Sequence, residues 1–170
     1  MEVPFIGSEA VAAGELTTHA LRTRFVAVHR DVYVSGGVEL TAESRAKAAW
    51  LWSGRAGVVA GRSAAAMHGA KWVDASMPAE LLYPNRRPPP GIRTWSDRRD
   101  EDEVEVARGV ALTTAARTAL DIGCRYPQGA AVARSMLLPG SPGSKRRTST
   151  CLPSGTAGDA ELERPRRRSI

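Results

Sequence analysis

The stretch GVVAGRSAAAMHGA, residues 57–70, decides how the middle of this chain folds. Its apolar residues 58–60 are typical of a short buried strand, and Gly61 ends that run. Residues 64–67 are strong helix formers, and Gly69 is the residue type that most easily ends a helix in the left-handed conformation. The stretch therefore predicts a compact strand, turn and helix, whose small side chains let a neighbouring element pack closely.

Two polar residues within this stretch are candidates for chemistry, Ser63 and His68. A serine at a helix start accepts a hydrogen bond from a free backbone N–H, and the helix dipole favours a histidine at a helix end. No acid or base that would activate either residue lies nearby in the sequence. We therefore interpret Ser63 as a helix cap and His68 as a helix-end residue, without a catalytic role for either.

The positive charge is concentrated at the C-terminal end of the chain. The 170 residues contain 24 Lys and Arg against 18 Asp and Glu, which gives a net charge of +6. Residues 135–170 hold seven basic and three acidic residues, so most of the excess lies there. The alkaline isoelectric point is therefore weak evidence that the folded part of the chain binds nucleic acid.

Residues 135–170 also differ from the rest of the chain in composition, because Pro, Gly, Ser and Arg dominate and hydrophobic periodicity stops. This composition is typical of a disordered basic tail. A second hypothesis treats the tail as the product of a frameshift. Codons for residues 147–162 can be chosen so that a shifted reading frame encodes an amphipathic helix.

The N-terminal segment, residues 1–40, is predicted to be winged-helix-like. Residues 7–24 indicate one or two short helices, and alternating apolar residues over 25–34 indicate a hairpin that ends at Gly36 and Gly37. The alternative is a small α/β cap that binds nothing. The basic residues of this segment suit contacts with phosphates and equally suit a solvated face; they are Arg22, Arg24, His29 and Arg30.

A small α/β domain is predicted over residues 41–134. Its clearest helix begins after Thr41, because threonine caps a first turn and Glu43 follows where the helix dipole favours an acid. Trp50 and Trp52 lie near the end of this helix. We interpret both as core and groove fillers, since no other aromatic residue nearby is interleaved with basic residues as on a base-stacking surface.

A proline-rich loop separates two further predicted strands, over residues 79–84 and 91–96. Three prolines stiffen this loop and keep it exposed. Arg86 and Arg87 within the loop form a second basic patch. They are therefore additional candidates for contacts with DNA phosphates.

The acidic run over residues 97–105 is interpreted as a solvated turn that leads into a strand, because so dense a run is typical of a surface. A hairpin follows, and the pair Thr113 and Thr114 caps a helix predicted over residues 115–124, with Leu120 and Ile122 facing inward. The same helix places one oppositely charged pair at i,i+4 spacing, Arg117 and Asp121.

The sequence carries no pattern typical of a metal site, a cofactor site or a membrane segment. Its three histidines and two cysteines lack the spacing of metal ligands. No apolar run approaches the ~18 residues of a membrane span, and the N-terminus has too few apolar residues for a signal peptide. We expect a soluble, cytoplasmic protein without cofactor or metal.

Three phrases together resemble bacterial proteins related to AbiEi-type antitoxin regulators: VHRDVYV (28–34), VVAGRSAAAMHGA (58–70) and GVALTTAARTALDIG (109–123). The resemblance covers roughly residues 5–134 and implies an α+β fold, with a winged-helix-like segment before a small α/β domain. Many members of that family continue into a domain similar to Vsr-type endonucleases. The residues after 134 show neither the strands nor the acidic residues of such a domain. The resemblance implies DNA-associated regulation, with DNA or a cognate toxin as partner.

We expect a truncated DNA-associated regulator that is not an enzyme. One alternative is the remnant of an endonuclease-domain protein, and another is a protein-binding antitoxin fragment. Nuclease metal chemistry needs acidic residues beside a lysine, which the acidic run lacks. Residues 21–24 lead almost directly into Phe25, which leaves little room for a recognition helix. Contacts with phosphates should therefore dominate, through Arg22, Arg24, His29, Arg30, Arg86 and Arg87.

Overall fold

The structure of the protein, a computed structural model, describes residues 3–126. In this part the chain is mixed α and β, with five α-helices and two β-sheets. The predictions for the tail, residues 135–170, lie outside the described residues. The predicted boundary at residue 40 stays a prediction.

The N-terminal elements surround a three-stranded antiparallel sheet. Strand β1, Phe5–Ile6, pairs with β3, Val32–Ser35, which in turn pairs with β2, Phe25–His29, so the strand order is β1-β3-β2. Helices α1, Gly7–Ala12, and α2, Thr18–Arg24, connect β1 to β2. The prediction of one or two short helices followed by a hairpin is confirmed, and there are two helices.

Local sequence explains where these two helices begin and end. Gly14, with a φ of +74°, ends the turn that follows α1. The Thr17 side chain accepts a hydrogen bond from the backbone N–H of Ala20 at 3.1 Å and so caps α2. Leu21 is the one buried residue of α2, so this helix leaves most of its surface exposed.

A five-stranded mixed sheet forms the larger part of the molecule. Its strands are β4, Val58–Val59; β5, Ala79–Leu82; β6, Ile92–Trp95; β7, Val104–Ala107; and β8, Val110–Thr113. Their order is β6-β5-β4-β8-β7. The pairs β5–β6 and β4–β8 are parallel, and the other two pairs are antiparallel. The proline-rich loop therefore carries the chain back along the sheet before β6 begins.

Helix α3, Ala42–Trp52, packs against both sheets. The Thr41 side chain accepts a hydrogen bond from the backbone of Ser44 at 3.1 Å, which confirms the predicted cap. Small alanines on α3 enter the core of the larger sheet beside Leu81 and Leu112. On another side Leu51 packs with Val32 of the smaller sheet. Trp50 and Trp52 are half-buried against both cores, as predicted.

Helices α4, Gly61–Met67, and α5, Ala115–Arg125, complete the fold. The turn after α4 is closed by Gly69, whose φ is +94°, as its sequence predicted. His68 ends this helix and its Nε2 lies 2.9 Å from the carbonyl oxygen of Thr113. The acidic run forms a short 3-10 helix, Glu101–Glu103, before β7.

Two predictions about individual side chains are wrong. Ser63 does not cap α4, because the helix begins two residues earlier; its buried hydroxyl accepts a hydrogen bond from the backbone N–H of Glu80 at 2.9 Å. Leu120 does not face inward and is 38% exposed. Ile122 faces inward as predicted. The buried face of α5 also holds Arg117 and Asp121, because these two charges pair with each other and Glu103 is a second partner of Arg117.

Candidate nucleic-acid interface

Helix α2 presents the first group of predicted contact residues. Arg22 and Arg24 lie in its last turn, and both are exposed. The first turn of α2 contains no acidic residue. The exposed surface of this helix is therefore positively charged without a compensating carboxylate on the helix itself.

The turn between β2 and β3 presents Arg30, which is also exposed. Asp31 beside it has a φ of +60°. Its carboxylate accepts hydrogen bonds from the backbone N–H of Ser8 at 2.9 Å and from the Ser8 hydroxyl at 2.5 Å. The backbone carbonyl of Asp31 accepts another from Gly7 at 2.9 Å. These bonds hold the turn against the start of α1 and fix the position from which Arg30 projects.

His29 differs from the arginines around it because it is half-buried at the end of β2. Burial lowers the pKa of its imidazole, and the positive charge of Arg45 lowers that pKa further. His29 is therefore neutral at pH 7. Of the predicted contact residues, it is the one that does not add a positive charge to the surface.

The proline-rich loop presents the second group, Arg86 and Arg87, which are both exposed. The Asn85 side-chain oxygen accepts a hydrogen bond from the backbone N–H of Arg87 at 2.8 Å. The carbonyl oxygen of Asn85 in turn accepts one from the hydroxyl of Thr94 in β6. The two arginines thus project from a turn that is tied to the edge of the larger sheet.

Five predicted contact arginines share one property. Within residues 3–126, none of them forms an ion pair with a carboxylate. An exposed arginine that lacks such a partner is free to bind a phosphate bidentately. The five are Arg22, Arg24, Arg30, Arg86 and Arg87.

A second cluster of charges lies inside the molecule and centres on Glu80 of β5. Glu80 is 1% exposed. Its Oε2 accepts a hydrogen bond from the backbone N–H of Arg62 at 2.7 Å, and its Oε1 lies 3.2 Å from the Arg62 guanidinium. The hydroxyl of Tyr126 donates to the same Oε1. Because each oxygen of this buried carboxylate accepts a hydrogen bond, the Glu80 side chain is held in place.

Two arginine–aromatic stacks surround this carboxylate. The Arg62 guanidinium lies 4.1 Å from the centre of the Tyr126 ring, and that of Arg125 lies 4.0 Å from the centre of the Trp95 indole. Burial raises the pKa of the Tyr126 hydroxyl, and the hydrogen bond to Glu80 raises it further. Tyr126 therefore stays protonated at neutral pH and acts as a donor to Glu80.

Helix α5 contributes a third set of charges to the interior. The predicted pair of Arg117 and Asp121 forms, at 3.0 Å between Nε and Oδ1, and it is buried rather than on the surface. Arg117 also contacts Glu103 at 2.5 Å. Burial raises the pKa of Asp121. Among residues 3–126, no group of three or more His, Cys, Asp or Glu side chains is arranged to hold a metal ion.

The main feature of the interior that was not predicted from the sequence is the role of Glu80. The signal was present, since Glu80 lies in the otherwise apolar run AELL, residues 79–82. An acid in the middle of a buried strand requires a partner. The partner Arg62 comes from the stretch GRS, residues 61–63, in which the sequence indicated roles only for Gly61 and Ser63.

No protein-family model matches this chain, and no curated protein or solved structure matches it either. The resemblance to AbiEi-type regulators accordingly remains a hypothesis. Of the helices in the described residues, none is long and apolar enough to cross a lipid bilayer.

Proposed function

We propose that this protein is a DNA-associated regulator of the AbiEi antitoxin-like kind, which acts by binding and not by catalysis. The observation that carries the proposal is that all five arginines of the two predicted basic patches are exposed and have no carboxylate partner in residues 3–126. They are spread over α2, the β2–β3 turn and the proline-rich loop. Arginine is the residue type that suits phosphate oxygens best.

The order of the N-terminal elements supports this proposal. Two helices precede a hairpin, and β1 joins that hairpin in the order β1-β3-β2. This order suits a winged helix in which α2 approaches the groove and the β2–β3 turn contacts the backbone. At seven residues, α2 is roughly 10 Å long. A helix this short reads few bases, so we expect phosphate contacts to supply most of the affinity.

The interior charges support a binding role without chemistry. Glu80 and Asp121 are each bound to an arginine, and both are buried. Carboxylates held in this way stabilise the fold and are not positioned to activate water at an exposed substrate. DNA remains the proposed partner; a cognate toxin or another protein is the alternative.

The test is a salt titration of the full chain on a random-sequence DNA duplex, followed by fluorescence anisotropy. We expect a dissociation constant on the order of micromolar or weaker at physiological salt. The affinity should fall steeply as the salt concentration rises. The double substitution Arg22→Gln with Arg30→Gln should lower the slope of log affinity against log salt by about 2, because each phosphate contact contributes about 0.9.

Two control variants make this test specific. Arg98→Gln with Arg99→Gln removes the same charge from exposed positions outside the proposed surface and should leave the slope unchanged. A third variant replaces the seven tail cations by serine: Lys145, Arg146, Arg147, Arg164, Arg166, Arg167 and Arg168. If this tail variant alone abolishes binding and the Arg22 and Arg30 substitutions have no effect, the tail is responsible and the proposal is wrong.

A further inference from the structure

The proline-rich loop is distant in the sequence from the β2–β3 hairpin, but its end approaches that hairpin in the folded molecule. A Cβ atom added at Gly91, where the proline-rich loop ends, would lie 3.9 Å from Cε1 of His29. His29 immediately precedes Arg30 at the tip of the β2–β3 turn. The end of the proline-rich loop therefore lies beside the hairpin, and the smaller sheet and the edge of the larger sheet share a surface at this point.

Helix α3 brings Arg45 close to this junction. Ala48, one turn further along the helix, belongs to the core cluster against which Val28, the neighbour of His29, packs. The positive charge of Arg45 lowers the pKa of the His29 imidazole, in addition to the larger effect of burial. Arg45 is half-buried, and its Nε is enclosed without a hydrogen-bond partner in the described residues. It forms no ion pair within residues 3–126. Enclosure of Nε fixes the stem of the side chain, so its charge is held near His29 without neutralisation.

We propose that the β2–β3 turn, Arg45 and the proline-rich loop form one continuous surface that follows a DNA backbone, with Arg45 at its centre. This inference rests on the proposed function and adds a contact residue that the sequence did not indicate. We favour DNA over an acidic protein as the partner. The cations are spread over several elements and lack carboxylate partners, which suits the regular row of phosphates along a DNA strand.

The dimensions of the loop are compatible with such a surface. Arg87 is four residues from Gly91, so it lies within about 14 Å of the junction even if the chain is fully extended. The hydrogen bonds of Asn85 hold the turn from which Arg87 projects. Each strand of a duplex carries one phosphate per ~3.4 Å of helix axis, so a surface of this length faces several phosphates.

The test measures salt slopes on the same random duplex for three full-chain variants. Arg86→Gln with Arg87→Gln should lower the slope by about 2, and Arg45→Gln should lower it by about 1, which is a loss of roughly five- to tenfold in affinity near 0.1 M salt. Arg45→Lys retains the charge and should retain most of the slope. The Arg98→Gln, Arg99→Gln variant serves as the charge-matched control.

The possible outcomes separate this inference from the proposed function. If Arg22 and Arg30 matter but neither the loop nor Arg45 changes the slope, the continuous surface is wrong and the proposed function stands. If Arg45→Gln unfolds the protein, the loop variant alone decides, because Arg86 and Arg87 are exposed. Poly-glutamate is the second probe: displacement of DNA by it at equal charge concentration would favour an acidic protein partner and overturn the inference.

Discussion

Arg62 and Arg30 show how differently one residue type is used in two regions of this molecule. Arg62 stacks on Tyr126 and pairs with the buried Glu80 at 3.2 Å. Arg30 projects from a turn into solvent and has no carboxylate partner among residues 3–126. The interior arginine offsets the burial of a charge, whereas the surface arginine is free to bind a ligand.

The energetic consequences of this difference are large. Removing one member of a buried ion pair typically costs about 3–5 kcal/mol, because the other charge stays buried without compensation. Removing an exposed charge usually changes stability by less than about 0.5 kcal/mol. Substitutions in the two regions should therefore separate cleanly, with the Glu80 cluster controlling stability and the exposed arginines controlling binding.

The largest loss of stability is expected from Gly61→Val. Gly61 has a φ of +53°, and a Cβ there would collide with the Glu80 carboxylate and lie 2.7 Å from the Trp95 ring. Backbone strain and the displaced carboxylate together should cost about 4 kcal/mol. Gly69→Ala is the matched control, since Gly69 also has a positive φ but no atom lies within 4 Å of its added Cβ.

Chemical denaturation of the two glycine variants measures this effect. Gly69→Ala should lose about 1 kcal/mol, which is the cost of strain alone. Equal losses of unfolding free energy in both variants would mean that the close packing of Gly61 on Glu80 does not contribute to stability. The claim that the Glu80 cluster is central to the fold would then be wrong.

A slightly smaller loss is expected from Glu80→Ala, which leaves Arg62 and Tyr126 without their shared acceptor. We expect the free energy of unfolding to fall by about 3 kcal/mol, at the lower end for a buried pair because Arg62 remains 17% exposed. Glu101→Ala removes an exposed acid and should change stability by less than about 0.5 kcal/mol. Thermal unfolding followed by circular dichroism compares the stability of the two variants. A Glu80→Ala variant as stable as Glu101→Ala would contradict the claim that the Glu80 cluster controls stability.

The smallest change in stability is expected from the surface arginines. Arg22→Gln with Arg30→Gln should leave the melting temperature within a few degrees of the parent, because neither side chain has an ion-pair partner in the described part of the chain. A loss of stability comparable with that of Glu80→Ala would show that these arginines support the fold. The contrast between surface arginines that are free to bind and interior charges that stabilise the fold would then be wrong.

Much of the fold follows from local signals in the sequence. Threonine caps, glycine stops and apolar alternation predicted α2, α3, the β2–β3 hairpin and the strand–turn–helix around Gly61, because each depends on residues close together in the chain. The parallel pairing of β5 with β6 was not predicted, since no local pattern specifies which strands become neighbours.

The sequence by itself determined which residues carry charge and which segments are helical or extended. Only the tertiary structure decided which charges meet. It placed Arg117 and Asp121 in the interior, enclosed Glu80 beneath Gly61, and brought Gly91 to His29 from sixty-two positions away in the chain. The physical reason is that the free energy of a charge depends on its burial and its partners, and both are set by contacts between elements that are distant in the sequence.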